Sequence, residues 1–316
     1  MLKQRVAIDI GSGITNVVAD EQEFLFPSRV CVAPPRWTQH FGAVNARVCR
    51  FADKDWLIGD AVRAIGGEPE NTLSNDWALS DGWLALLYSS LAELGIEGDC
   101  SLATGLPQAL YTDNAENVVN RLSGIHRFSV NGVGYTVNFT SVQVVPQATA
   151  ALLYQATLND MMRGDVGCID IGTYTTGLAV IDMDTQSLIA RRSRGCQLGV
   201  ATLLAALESH LINQHNLRLD GPRLMAALTS QQTRIRGAVL DLSAVIGQIA
   251  IREAKPMLEF IQSAWDGGAD LEVYLAGGGA DYYAQAVRSV VPHAAVIKEP
   301  QWAVARGLYR YLCEVA

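Results

Sequence analysis

The sequence predicts an α/β fold made of two similar halves, each with its own sheet. Two observations carry this. Runs of β-branched residues alternate along the chain with segments of helical apolar spacing. In addition, one strand–turn–strand segment occurs twice: residues 6–20 read VAIDIGSGITNVVAD and residues 167–181 read GCIDIGTYTTGLAVI. A shift of 161 positions sets Ile8 on Ile169, Asp9 on Asp170, Ile10 on Ile171, Gly11 on Gly172 and Thr15 on Thr176, with Ser12 against Thr173. The shift is about half of the 316 residues, so the repeat marks two domains facing each other rather than a short-period solenoid.

Each copy is a β-branched run, then Asp-x-Gly-Ser/Thr, a few small or hydroxyl residues, and a second apolar run, which reads as a hairpin. Strands at 100–104, 126–130, 135–139 and 142–145 fill out the first domain. Helical spacing marks 81–94, 113–123, 147–162, 199–213, 243–265 and 303–313, and loops are expected at 34–40, 66–76 and 214–222. A third glycine element, EVYLAGGG at 272–279, is a strand running into Gly277, Gly278 and Gly279, followed by helical spacing in ADYYAQAVRSVV. The expected division is 1–163 for the first domain and 164–302 for the second, with a final helix at 303–316 packing back on the first.

Composition narrows the function. Lys plus Arg is 24 and Asp plus Glu is 32, a net charge of −8, which disfavours a broad grip on phosphate backbones. The six cysteines are scattered without a C-x-x-C pair, which argues against a zinc knuckle or a disulfide framework and fits reduced thiols. No secretory h-region opens the sequence, and the apolar stretch 78–94 is interrupted by Ser80, Asp81 and Glu93. A cytoplasmic chain with no membrane partner is expected.

The doubled motif is suited to holding phosphate. Gly11 and Gly13 let the backbone turn tightly and approach a ligand. The N–H groups of Gly11, Ser12, Gly13, Ile14 and Thr15 can then line an anion nest, with the Ser12 and Thr15 hydroxyls as added donors. Asp9, at the end of a buried strand, can hold water on a divalent cation. Asp170, Gly172, Thr173, Tyr174, Thr175 and Thr176 offer the same equipment in the second copy, so the two hairpins would clamp a nucleotide's phosphates from both sides. One such turn alone is as well explained by a structural hairpin. Two copies together with a strand–GGG–helix favour phosphate binding.

Other features have plainer readings. The run Arg191-Arg192-Ser193-Arg194 could touch DNA, an adaptor or a neighbouring subunit, but a solvated strand edge explains it better. His210 and His215 are five apart, the wrong spacing for paired helical zinc ligands. Trp37, Trp56, Trp77 and Trp83 fit core packing or a subunit interface better than base stacking.

These residues also carry a resemblance. Segments 7–18, 168–180 and 273–283 resemble the phosphate-1, phosphate-2 and adenosine motifs of the actin, Hsp70 and sugar-kinase ATPases, and the chain most resembles the ParM/StbA group of plasmid-segregation actins. Leu102-Ala103-Thr104-Gly105-Leu106-Pro107 with Tyr111-Thr112-Asp113, Val142 to Ala148, Gln197-Leu198-Gly199-Val200 and Arg306-Gly307-Leu308-Tyr309 are similar to further stretches of that group. The resemblance implies an actin-like, ribonuclease H-like fold of two α/β domains around a nucleotide cleft. It implies ATP or GTP with Mg2+, Asp9 and Asp170 holding the metal through water, and Gly199, Gly277, Gly278, Gly279 and Ala280 beside the nucleotide. Gln147 would orient the attacking water, and because an amide is no strong base, turnover would be slow and coupled to assembly. Arg252 and Lys255 lie where related folds place groups against the adenine, but an exposed charged face explains them better.

The sequence departs from the family pattern in two places. Asn16 stands where many actins carry Lys, and Gly177 stands where the second loop often carries Asp, which puts affinity and hydrolysis rate in question. The implied function is an ATPase that forms head-to-tail filaments and moves plasmid DNA through a DNA-binding adaptor. The alternatives are a small-molecule kinase or phosphatase, for which no acceptor-side carboxylate stands out and Asp81 or Asp113 stay open, and a non-polymerising regulatory ATPase.

Overall fold

In the computed structural model, residues 4–20, 22–39, 45–159 and 161–315 are described. The chain divides into two units, Met1–Asp160 with Trp302–Ala316, and Met161–Gln301. The first unit begins with β1 (Gln4–Ile10), β2 (Ile14–Ala19), β3 (Gln22–Pro27) and β4 (Val30–Val32). There follow β5 (Arg47–Phe51), β6 (Lys54–Ile58), α1 (Asp60–Ile65), α2 (Asp81–Glu93) and β7 (Gly98–Leu106). Then come α3 (Tyr111–Leu122), β8 (Gly124–Val130), β9 (Val133–Pro146) and α4 (Gln147–Leu158).

Among the described residues these strands form one sheet in the order β3-β2-β1-β7-β9-β8-β5-β6-β4. β1, β7 and β9 run parallel at its centre, and antiparallel strands flank them. One face of β1 and β2 presents Val6, Ile8, Ile10 and Val17 to a core that includes Trp56, Trp77, Trp83, Leu86 and Leu91. Three of the tryptophans are therefore core residues. Each large apolar side chain buried in this way contributes about 1.5–3 kcal/mol.

The second unit holds β10 (Asp165–Ile171), β11 (Thr176–Asp182), β12 (Ser187–Leu188) and β13 (Gly195–Cys196). It continues through α5 (Val200–His215), α6 (Gly221–Ser230), β14 (Gln232–Ile235) and β15 (Ala238–Asp241). Next are α7 (Ser243–Glu253), α8 (Lys255–Trp265), β16 (Glu272–Ala276), α9 (Ala280–Val287) and β17 (Ala295–Val296). Its main sheet runs β12-β11-β10-β16-β17, with β13 also on β11 and β14–β15 forming a separate ribbon. Leu178, Val180, Leu203, Leu207, Ile261 and Trp265 belong to its core.

The chain then re-enters the first unit as α10 (Ala303–Val315), which packs against α4 and β1. Contact with α4 is so close that a Cβ on Gly307 would overlap the Ala150 carbonyl. Arg306 fastens the same helix, donating to Glu23 of β3 at 2.8 Å and to the Tyr154 hydroxyl of α4 at 3.1 Å.

Several sequence expectations need correction. The helix expected over 243–265 is two helices that meet at Ala254, because Pro256 lacks an N–H and its ring crowds the preceding turn. The strands expected at 135–139 and 142–145 are one strand, β9, with a bulge where Cys100 pairs with Phe139 and Ser101 with Ser141. The expected 214–222 loop is shortened, since Asp220 caps α6 by accepting from the Arg223 N–H at 2.9 Å. The helix expected over 147–162 ends at Leu158. Strands β3 to β6 lie outside the segments expected as strands. His40 of the expected 34–40 loop, Asp160 and Ala316 lie outside the described residues.

Candidate functional site

The first hairpin joins β1 to β2, with Asp9 opposite Asn16 and Ile10 opposite Thr15. The Gly11 N–H donates to the Ile14 carbonyl at 3.1 Å and closes the turn. Two distant residues hold the tip. The Ser28 N–H donates to the Gly13 carbonyl at 2.9 Å, and the Thr72 hydroxyl donates to the Ser12 carbonyl at 2.7 Å. The Ser12 and Gly13 N–H groups have no protein partner among the described residues, as an anion nest requires. Thr15 does not add a donor there: it is fully buried, and its hydroxyl pairs with that of Ser28 at 2.9 Å.

Asp9 sits beneath this tip, 6% exposed. One of its oxygens accepts from the Gln147 amide at 2.7 Å. Gln147 is the first residue of α4, starting where Pro146 ends the β9 ladder. The contact needs a glycine on β7, because a Cβ on Gly105 would lie 2.9 Å from Gln147 Cγ and 3.0 Å from Asp9 Oδ1. Burial pushes the Asp9 carboxyl up to about 6, with the Gln147 hydrogen bond acting in the opposite direction.

The second hairpin repeats the local geometry. Asp170 lies opposite Gly177 and Ile171 opposite Thr176, and the Gly172 N–H donates to the Thr175 carbonyl at 2.9 Å. Its support differs. The N–H groups of Val200 and Ala201 at the start of α5 donate to the Gly172 and Thr173 carbonyls at 3.0 and 2.8 Å. Gly199 is needed for that approach, since a Cβ there would lie 2.7 Å from the Thr173 carbonyl oxygen. The buried Thr176 hydroxyl faces inward, donating to the Leu198 carbonyl at 2.7 Å. Like Thr15, it is part of the scaffold.

The glycine triplet packs on the same hairpin. Gly277 has φ +82°, and a Cβ there would overlap the Ile171 carbonyl, with Asp170 Oδ1 2.5 Å away. The Gly279 N–H donates to the Ile171 carbonyl at 2.8 Å, and Gly278 faces the Gln301 amide. Ala280 opens α9 and is fully buried. Asp170 is therefore buried against backbone at the end of β10, 6% exposed.

The remaining candidates separate from these two places. Arg192 makes a bidentate pair with Asp270 at 2.6 and 2.9 Å, and Arg194 donates to the Ser263 carbonyl at 3.0 Å, so both brace their own unit. Arg192 thus departs from the solvated reading, whereas Arg191 and Arg194 are exposed as it expects. Asp81 pairs with Arg121 at 2.8 Å and Lys54 at 3.8 Å, which makes it structural. Asp113 lies in the first turn of α3. Arg252 binds its neighbour Glu253 at 2.7 Å, and both line a pocket of about 400 Å3 with His210. No cluster of three metal-ligating side chains exists among the described residues. Gly105, Ser28 and Thr72 join the site without being expected there. Only Gly105, a glycine at a strand end, carries a sequence signal.

Two family models match the chain. The N-terminal domain of actin-like proteins covers residues 7–149, and the C-terminal domain of the archaeal MreB-like actin homologues covers residues 168–289. The chain belongs to the actin-like proteins. An archaeal actin homolog of Thermoplasma acidophilum is similar to this actin-like chain, 23% identical over 94% of each. The crystal structure of an archaeal actin homolog superposes with a TM-score of 0.84 at 22% identity, covering 99% of this chain and 100% of the other. A subunit of a 15-stranded ParM filament from Clostridium botulinum superposes with a TM-score of 0.80 at 17% identity, with 99% and 100% covered. The actin-like fold is thereby shown. No helix among the described residues is long and apolar enough to cross a membrane.

Proposed function

We propose that this actin-like chain binds a nucleoside triphosphate, ATP or GTP, with Mg2+, hydrolyses it slowly, and polymerises head to tail. We propose further that the filament moves plasmid or other replicon DNA through a DNA-bound adaptor, in the cytoplasm. The observation that carries the reading is the pair of glycine hairpins. Each is closed by the same Gly N–H bond to a carbonyl three residues on, and each has a buried Asp two residues before that glycine. An archaeal actin homolog of the same fold has been crystallised with ADP, and ParM of that fold forms filaments. A net charge of −8 is in keeping with indirect contact to DNA.

In this reading each hairpin takes phosphate oxygens, the first through the Ser12 and Gly13 N–H groups. The donor set suits magnesium held mainly by water and phosphate, because a buried carboxylate pushed up to about 6 gains from nearby positive charge and no protein cage of ligands surrounds it among the described residues. Asp9 and Asp170 would hold that shell. Magnesium, when bound, neutralises phosphate charge and polarises the transferred phosphoryl group. The Asp9 carboxylate fixes the Gln147 side chain by accepting from its Nε2, which leaves Oε1 to accept a hydrogen bond from a proton of the attacking water and so orient it. An amide cannot carry that proton away, so the chain supplies positioning without a strong base.

Sedimentation and electron microscopy of the purified protein test this. Mg-ATP is expected to give a pellet and filaments, and Mg-ADP much less of both. Gln147→Ala is expected to slow phosphate release about 10- to 100-fold while nucleotide affinity stays within about 2-fold. A protein that stays in the supernatant at every concentration with every nucleotide would overturn the filament reading.

A further inference from the structure

The start of β1 lies at the other end of the strand from Asp9, with Arg5 about 13 Å from it along the extended chain. A cavity of about 350 Å3 opens there, between the start of β1, the turn from β2 to β3 and the segment after α2. Gln4, Arg5 and Asp20 line it together with the apolar residues Ala19, Leu94 and Ile96. Its size falls within the range of small-ligand pockets, about 300–1,000 Å3.

Two opposite charges line this cavity without meeting. Arg5 makes no ion pair and no side-chain hydrogen bond among the described residues, and its Nε is buried without a partner. Asp20 is exposed in the turn, with φ +36°. The Tyr309 hydroxyl of α10 donates to Asp20 Oδ1 at 2.6 Å and accepts from the Asp20 N–H at 3.0 Å. That holds the carboxylate in place and leaves Oδ2 without a protein donor among the described residues. Gln4 Oε1 is also buried without a partner. A buried donor and a buried acceptor left unpaired are uncommon in a folded protein. No protein hydrogen bond holds the Gln4 or Arg5 side chain, so turning toward an occupant breaks nothing.

We propose that this cavity binds a free α-amino acid with an aliphatic side chain. The ligand carboxylate would pair with the Arg5 guanidinium. Its ammonium would donate to Asp20 Oδ2 and Gln4 Oε1, and its side chain would lie against Ala19, Leu94 and Ile96. A simple anion would face the Asp20 carboxylate and a simple cation the Arg5 guanidinium, so a zwitterion fits better than either. The site goes beyond the nucleotide reading. Because Tyr309 belongs to α10, an occupied cavity would also secure that helix against the β2–β3 turn.

Calorimetric titration of the full-length, nucleotide-free protein with L-leucine is expected to show saturable binding with a Kd of about 0.1–1 mM. N-acetylleucine lacks the ammonium and leucinamide lacks the carboxylate, and each is expected to bind at least about 10-fold more weakly. Arg5→Gln is expected to weaken leucine binding by at least about 10-fold. Asp20→Asn is expected to do the same, although it keeps an oxygen for the Tyr309 hydroxyl. The two analogues are tested on the wild-type chain and do not depend on how either variant folds. No saturable heat with leucine up to about 20 mM, binding of either analogue within about 2-fold of leucine, or unchanged affinity in both variants would overturn the site. Since no nucleotide is present, failure here is distinguishable from failure of nucleotide binding.

Discussion

The two glycine hairpins close on themselves in the same way and are held in place by different means. In both, the Gly N–H bonds to the carbonyl three residues on, at 3.1 Å for Gly11 and 2.9 Å for Gly172. Around the first, one backbone bond, from the Ser28 N–H to the Gly13 carbonyl, is joined by three side chains: Thr72 on the Ser12 carbonyl, Ser28 on Thr15, and Gln147 on Asp9. Around the second, support comes from backbone. The start of α5 and the Gly277–Gly279 triplet press against the Ile171–Thr173 main chain with no room for a Cβ. A repeated motif fixes its own turn, while its surroundings decide how much that turn can yield. The first hairpin can adjust by rotamer changes. The second can adjust only if a helix moves.

Substitutions can break or sharpen that contrast. The largest effect is expected for Gly277→Ala, where a left-handed backbone and an overlap with the Ile171 carbonyl combine. A loss of at least about 3 kcal/mol in urea unfolding is expected, and a loss below about 1 kcal/mol would mean that the second hairpin yields after all. Asp9→Asn comes next, and it stabilises. The folded carboxyl titrates at about 6 against 3.8 for the ordinary group, so the folded state binds the extra proton. The stability linked to that proton is fully present below pH 4 and is lost as pH rises through 6. In metal-free buffer Asp9→Asn should therefore gain up to about 3 kcal/mol at pH 7.5 and almost nothing at pH 4. A gain that does not change with pH would contradict the burial argument.

The smallest effect is expected for Thr72→Val, which removes one hydrogen bond to the first tip. It should cost about 1 kcal/mol and speed amide exchange at Gly11, whose N–H closes the first turn, while leaving exchange at Gly172 unchanged. Equal acceleration at both tips would show that the two supports are not independent.

The half-chain repeat makes both hairpins and the positions of Asp9 and Asp170 legible from residue order alone, because a strand ending in Asp-x-Gly leaves few local conformations. The start of α4 at Gln147 is legible from helical spacing after Pro146. What is not legible depends on residues far apart in sequence. Thr72 reaches Ser12 across 60 positions, and Gly105 makes room for a contact between residues 9 and 147. Local pattern also misleads twice. Apolar spacing runs on past Ala254 and hides the break that Pro256 causes, and the bulge in β9 looks like the end of a strand. The inward turn of Thr15 and Thr176 cannot be read from residue type, since a hydroxyl bonds as readily to its own fold as to a phosphate.

The return of α10 to the first unit has a consequence for synthesis. Residues 161–301 form a contiguous unit, whereas the first unit is built from two separate stretches and is complete only when the helix at 303–315 has been made. Until then the alanine-rich side of α4 that receives Gly307 lies uncovered. The earliest-made half of this protein is thus the last to mature, and a nascent chain stalled before Gly307 would offer chaperones a sticky, unfinished surface.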